Sequence, residues 1–127
     1  QDIRYKVFVK DMGIDYSLEF EYEKELESVP FIIYLNKTPI GTIRYRKTDK
    51  GYKIERFAVL KEYQKQGYGR LAIKFLINYL ISKFNPCTIY VHGMSYLKDF
   101  YLSLGLDIEG EEFVEADVKH YLFKKVI

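Results

Sequence analysis

The chain has 127 residues, 48% of them hydrophobic, enough for a core that needs no staples, and a single domain spanning residues 1–127 is expected. Its 20 basic and 18 acidic residues leave +2, so no overall field argues for nucleic acid or an anionic membrane as partner. Cys87 is the one cysteine, which excludes an internal disulfide; with only two scattered histidines beside it, the expectation is no metal and a reducing cytoplasm.

No apolar run approaches the roughly 18 residues of a membrane helix. Gln1-Asp2-Ile3-Arg4 does not begin a signal peptide, and because Gln1 is not an initiator, residues are expected to precede it. Ile3 to Met12 sets Ile3, Val7 and Phe8 among Arg4, Lys6 and Lys10, which predicts a short amphipathic helix stopped near Gly13. Ile14 to Ser28 carries Glu19, Glu21, Glu23, Glu25 and Glu27 on alternate positions. It reads as a loop or second helix, either a solvated surface or a lure for a cationic acceptor.

Three strands then follow in a meander. Phe31 to Leu35 is rich in strand formers, Asn36-Lys37-Thr38-Pro39 turns the chain, and Ile40 to Lys47 runs back. After the turn at Thr48 to Gly51, Tyr52 to Leu60 ends on four apolar residues, as a central strand covered on both faces does. Leu71 to Phe84 is helical in its spacing, with polar residues at Arg70, Lys74, Asn78 and Ser82 in a narrow stripe four residues apart, and Asn85-Pro86 ends it. Thr88 to His92 is a strand reached by a helical crossover, hence parallel to one before the helix. Ser95 to Leu104 repeats Leu97, Phe100, Tyr101 and Leu104 at helical spacing before Gly105. Two last strands, Asp107 to Val114 and Lys119 to Val126, join around Glu115 to Val118. One mixed sheet with helices on its faces accounts for the whole, an α/β (α+β) chain.

Between the third strand and the long helix stands Gln64-Lys65-Gln66-Gly67-Tyr68-Gly69-Arg70. Two glycines there let successive backbone N–H groups face an anion, with Lys65 and Arg70 able to add charge; a plain tight turn is the alternative. Neither a P-loop nor a Gly-x-Gly-x-x-Gly fingerprint is present, which sets aside an ATPase or a dinucleotide-binding Rossmann enzyme.

These residues resemble the GNAT family of acetyl-CoA-dependent N-acetyltransferases. Gln64 to Gly69 is similar to the family's Gln/Arg-x-x-Gly-x-Gly/Ala, and Phe100-Tyr101-Leu102-Ser103-Leu104-Gly105-Leu106 to its Phe-Tyr-x-x-x-Gly-Phe. Glu111-Glu112-Phe113, His120 and Val7-Phe8-Val9 look like the ElaA/YjcF-type branch. The chain departs from the pattern at Leu106, at His92-Gly93-Met94, and in an apparently missing first strand and first-helix start.

The resemblance implies a sheet splayed into a V with helices on both faces. It implies that Gln64, Lys65, Gln66, Gly67, Tyr68, Gly69 and Arg70 hold the CoA pyrophosphate, while Phe57, Ala58 and Val59 pair with pantetheine as with an added strand. Acetyl-CoA would be the acetyl donor and a primary amine, small or peptidic, would attack the thioester directly. Tyr101 matches the proton donor to the leaving thiolate, core packing being its other reading, and a backbone N–H near Ala58 would face the oxyanion. Glu55 is the candidate base, or else a salt-bridge partner, and His92 and His120 are acceptor-site candidates. A monomer or a homodimer paired through the last strands is expected. A CoA-binding module that regulates without catalysing is the alternative, and the identity of the amine stays open.

Overall fold

Alternation of inward and outward residues makes the strands. In Ser28–Leu35, Val29, Phe31 and Ile33 are buried and their neighbours are not. The structure, a computed structural model, describes the backbone of residues 2–11, 14–23 and 28–127 and the side chains of residues 28–127. Its elements in chain order are β1 (Asp2–Asp11), β2 (Ile14–Glu23), β3 (Ser28–Leu35), β4 (Thr38–Thr48), β5 (Gly51–Val59), α1 (Tyr68–Phe84), β6 (Thr88–Met94), α2 (Lys98–Ser103), β7 (Asp107–Glu115) and β8 (Val118–Val126). They form one sheet in the order β1-β2-β3-β4-β5-β6-β8-β7.

The turns follow from backbone preference. Asn36 and Lys37 have φ of 49° and 72°, and Ala116 and Asp117 have φ of 51° and 62°. Both pairs make the two-residue hairpin turn whose twist matches the flanking strands. Every pairing is antiparallel except β5 with β6, where the chain crosses over through α1.

The N-terminal stretch differs from its sequence reading. Where a helix was expected over Ile3 to Met12, β1 pairs with β2 from Asp2↔Glu23 to Asp11↔Ile14, and β2 continues onto β3. The spacing of Ile3, Val7 and Phe8 suits a helix, but Tyr5, Val7 and Val9 also recur with the strand period of two, and pairing along ten residues selects that period. The alternate Glu19, Glu21 and Glu23 carry the same period within β2. Met12, Gly13, Glu25 and Glu27 lie outside the described residues.

A single core fills the helix side of β3–β6 and β8. Ile33, Ile40, Ile54, Ile73, Leu76, Leu80, Ile89 and Phe123 are at most 1% exposed, and Tyr101 and Leu106 join them. Both α1 and α2 contribute to this one core. The other side of the central strands, which the sequence reading also gave to helices, carries Arg44, Arg46, Lys53, Glu55, Tyr90 and His92 among the described residues, at positions alternating with the core residues. With residues 2–11 and 14–23 in strands, those segments supply no helix to cover it. No described helix is long and apolar enough to cross a membrane.

The β5–β6 pairing is short. It runs Tyr52↔Ile89, Lys53↔Tyr90, Ile54↔Val91 and stops, while β5 continues to Val59 and β6 to Met94. The sheet therefore splays into the expected V. Past the split, Gly93 lets α2 approach the sheet: a Cβ there would lie 2.5 Å from the Tyr101 ring and 2.7 Å from that of Phe123. Gly93→Ala is expected to lower stability by about 1–3 kcal/mol through overpacking, read as a lower urea midpoint with an unchanged m-value.

Candidate functional site

The split is prepared by a bulge in β5. Register with β4 shifts between Thr42 and Arg44, so that Arg56 and Phe57 together oppose Ile43, and Arg56 takes a φ of 55°. Beyond the bulge, Ala58 O lies against Gly41 of β4, 2.5 Å from where a Cβ would stand, and Leu60 donates its N–H to Ile40 O at 2.7 Å. Strand alternation then turns the peptide groups of Val59, and of Phe57 two residues earlier, toward the gap. The Val59 carbonyl is taken there by Gln64 Nε2 at 2.8 Å. Val59 N–H remains as a donor on the open edge.

The glycine loop comes at once after this edge. A short 3-10 turn, Lys61–Tyr63, leads to Lys65 at φ 63° and Gly67 at φ 89°, the residue before the helix. Helix α1 begins at Tyr68, three residues earlier than its apolar spacing suggested, and so takes in Gly69 and Arg70. Among the described residues no side chain caps this terminus, and no acidic residue stands in the first turn. The first helical bond runs from Leu71 N–H to Gly67 O at 3.1 Å, which leaves the N–H groups of Tyr68, Gly69 and Arg70 without an intrahelical acceptor. Positive charge from the helix dipole and from Lys65 gathers where those groups point. Gly69 is needed for a second reason: a Cβ there would be 3.0 Å from the Phe57 ring and 3.6 Å from Val59, so helix and strand end sit close together.

Splay, loop and α2 enclose a cavity of about 870 Å³. Of the residues singled out in the sequence, Glu55, Phe57, Ala58, Val59, Gln64, Lys65, Gly67, Gly69, Arg70, His92 and Tyr101 all line it. Three do not. Gln66 turns its amide back to Glu62 O at 3.0 Å, Tyr68 packs into the core, and His120 lies 7% exposed on β8. Arg70 lines the cavity, and its guanidinium also donates to Ser103 Oγ at 2.5 Å and so ties α1 to the end of α2.

Tyr101 sits on an apolar floor, its ring stacked on Phe123 at 4.6 Å and 28°. Burial, with a smaller contribution from Tyr96, pushes its phenol up to about 12; the hydroxyl keeps its proton at any physiological pH. Glu55 is the opposite case. Its burial favours the neutral acid, but hydrogen bonds from Arg46 and Arg44 and their charges outweigh this and hold the carboxyl below its ordinary value. Arg46 Nε donates to Oε1 at 2.7 Å, Arg44 Nε to Oε2 at 2.8 Å, and Lys53 Nζ lies 4.0 Å away. A carboxylate satisfied by two guanidiniums is a poor acceptor for a further proton. Of the two roles open to Glu55 in the sequence, the ion pair is the one formed.

Arg44 and Arg46, as partners of Glu55, were not legible in the sequence, nor was Glu115, which reaches His92 Nδ1 at 3.1 Å. Each partner comes from another strand at a separation no local pattern encodes. Burial pushes the Cys87 thiol up, as suits an inert side chain. No cluster of three or more metal-ligating side chains occurs among the described residues.

Comparison with known proteins agrees with this geometry. The model of the acetyltransferase (GNAT) family matches residues 4–105. The protein YyaT of Bacillus subtilis is 34% identical over 128 residues, 98% of this chain and 85% of its own, and the N-acetyltransferase YjcF of the same organism is 28% identical over 124 residues, 97% and 87%. A GNAT family acetyltransferase from Elizabethkingia anophelis, solved with acetyl-CoA bound, superposes with a TM-score of 0.67 at 18% identity, covering 80% of this chain and 77% of that one.

The Glu55 ion pairs carry a signed pH dependence. With its folded pKa below the ordinary 4.5, the carboxylate contributes stability that is present above 4.5 and lost as pH falls through the folded value. In urea titrations across pH, Glu55→Gln is expected to be less stable than the parent at pH 7, with the gap closing below about pH 4.

Proposed function

Because the chain belongs to the acetyltransferase (GNAT) family, we propose that it moves an acetyl group from acetyl-CoA to a primary amine by direct attack of the amine on the thioester. Its family and fold are those of acyl transfer. Acetyl-CoA as donor and a primary amine as acceptor are our reading of the site, as are residues 1–127 as one catalytic domain, cytoplasmic placement and action as a monomer or homodimer.

The observation that carries the proposal is the continuity of three features around one cavity: an open strand edge at Phe57 to Val59, an uncapped helix start at Tyr68 to Arg70, and the protonated phenol of Tyr101. They fit acetyl-CoA in order. Pantetheine amides would pair along the open edge. The pyrophosphate would take the N–H groups at the head of α1 together with Lys65, beside two glycines, Gly67 and Gly69, that carry no side chain. Acetyl-CoA supplies an acyl group already activated as a thioester.

The chain's own residues do the rest. A backbone N–H beside Ala58, that of Val59 or Phe57, is aimed into the gap where oxyanion charge would develop. Tyr101 holds a proton toward the departing sulfur, and its raised pKa keeps the phenol in its protonated form. Orientation comes from the stacked Phe123 below the ring.

Two measurements test this. Calorimetric titration of acetyl-CoA is expected to give one site per chain, and Gly69→Asp, which sets a carboxylate at the pyrophosphate position, to weaken it by about tenfold or more, ~1.4 kcal/mol; a folded parent that binds no acyl-CoA sinks the proposal. In an amine screen read by release of free CoA, Tyr101→Phe is expected to lower kcat by about 10²-fold or more with acetyl-CoA affinity unchanged. With the phenol near 12, the parent rate shows no basic fall from Tyr101 below about pH 11. A module that only binds CoA would take up the ligand and release no thiol.

A further inference from the structure

His92 stands beside the split in the sheet and borders two hollows. One is the cavity between the splayed strands, the glycine loop and α2. The other, of about 620 Å³, is walled by Tyr90, Glu109, Glu111, Phe113 and Lys124 of β6, β7 and β8. Its side chain is common to the linings of both hollows.

The partners of His92 fix its chemistry. Nδ1 lies 3.1 Å from Glu115 Oε1, and because a carboxylate accepts, Nδ1 carries the hydrogen and donates. The lone pair of the neutral ring is thereby left on Nε2. Phe113 holds the ring edge-on at 5.2 Å and Tyr90 flanks it at 5.9 Å. Glu115 is itself held between two rings, for its second oxygen lies 3.8 Å from His120 Nε2 while His120 Nδ1 donates to Val118 O at 2.8 Å. Among the described residues, the other charged groups near His92 are engaged or set apart. Glu109 is paired with Lys124 at 3.0 Å and Glu55 with Arg44 and Arg46; Lys50 and Glu111 border the second hollow, and Tyr96 and Tyr101 the first.

We propose that His92 is the general base of the acyl transfer, that Glu115 is its positioning residue, and that the amine arrives through the second hollow. This rests on the acyl-transfer reading of the cavity. In the step, the amine nitrogen forms its bond to the thioester carbon and gives a proton to His92 Nε2; the carbon–sulfur bond breaks, and sulfur leaves with its electron pair and takes the Tyr101 proton. The products are the N-acetylated amine and free CoA thiol, while His92 returns its proton to solvent and Tyr101 regains one. The role first considered for Glu55 passes to a group whose lone pair no cation of the described residues occupies.

The chain has two histidines, so nitrogen-15 spectra of the histidine-labelled protein report on each without crowding. Neutral His92 is expected as the Nδ1–H form in the parent, and Glu115→Ala is expected to shift it toward Nε2–H, a change that loss of packing alone would not direct. With acetyl-CoA and n-propylamine as probe acceptor, His92→Gln is expected to lower kcat by about 10²-fold or more and to abolish the acidic limb of the rate profile, with acetyl-CoA affinity held within about twofold. An Nε2–H ring in the parent overturns the assignment whatever the probe amine does, as does a His92→Gln variant that binds acetyl-CoA and turns over at the parental rate. A parent that binds no acetyl-CoA instead removes the acyl-transfer reading, and the base role with it.

Discussion

Two strands that begin in register and then part set up everything else in this molecule. The β5–β6 pairing ends at Ile54↔Val91, and the bulge at Arg56 re-aims the remainder of β5. A paired strand has no free edge and a sheet without a split has no cavity at its centre. By separating the two parallel strands, the fold leaves Val59 N–H unpaired by a strand and facing the split. The head of α1 is carried to the same place because the crossover leaves β5 at this point.

Closeness between the helix and the strand end then depends on small residues. A Cβ on Gly69 would come within 3.0 Å of the Phe57 ring, and Gly93 leaves still less space before Tyr101 and Phe123. One close approach sets the anion-facing end of the cavity and the other seats the phenol. Packing and proposed chemistry are joined here, since the apolar floor that stabilises α2 is also what keeps the Tyr101 proton in place.

Two glutamates show how partners decide what a carboxylate does. Glu55 lines the cavity, yet two guanidiniums hold it as a fixed anion. Glu115 lies off the cavity on the last hairpin, and its partner is an imidazole, whose other nitrogen it leaves free. The first arrangement lends itself to rigidity and the second to proton transfer, although in the sequence both are glutamates in strands.

Local pattern carried much of this in the sequence. The run of strand formers from Phe31 to Leu35, the helical spacing from Leu71 to Phe84, and the glycines at 67 and 69 each depend on residues a few positions apart, so β3, α1 and the loop between β5 and α1 were legible, and with them the family. Ile3 to Met12 was not, because its apolar residues satisfy both helical and strand periods and only pairing with Ile14–Glu23 selects one. Tertiary structure alone decided that Arg44 and Arg46 neutralise Glu55, that Arg70 ties α1 to α2, that Gln64 closes on Val59, and that His92 shares Glu115 with His120. Those pairs join residues on different strands or helices, or on opposite sides of a turn. Their geometry is set by sheet register and by the split, and these arise from the cooperation of the whole chain rather than from any window of it.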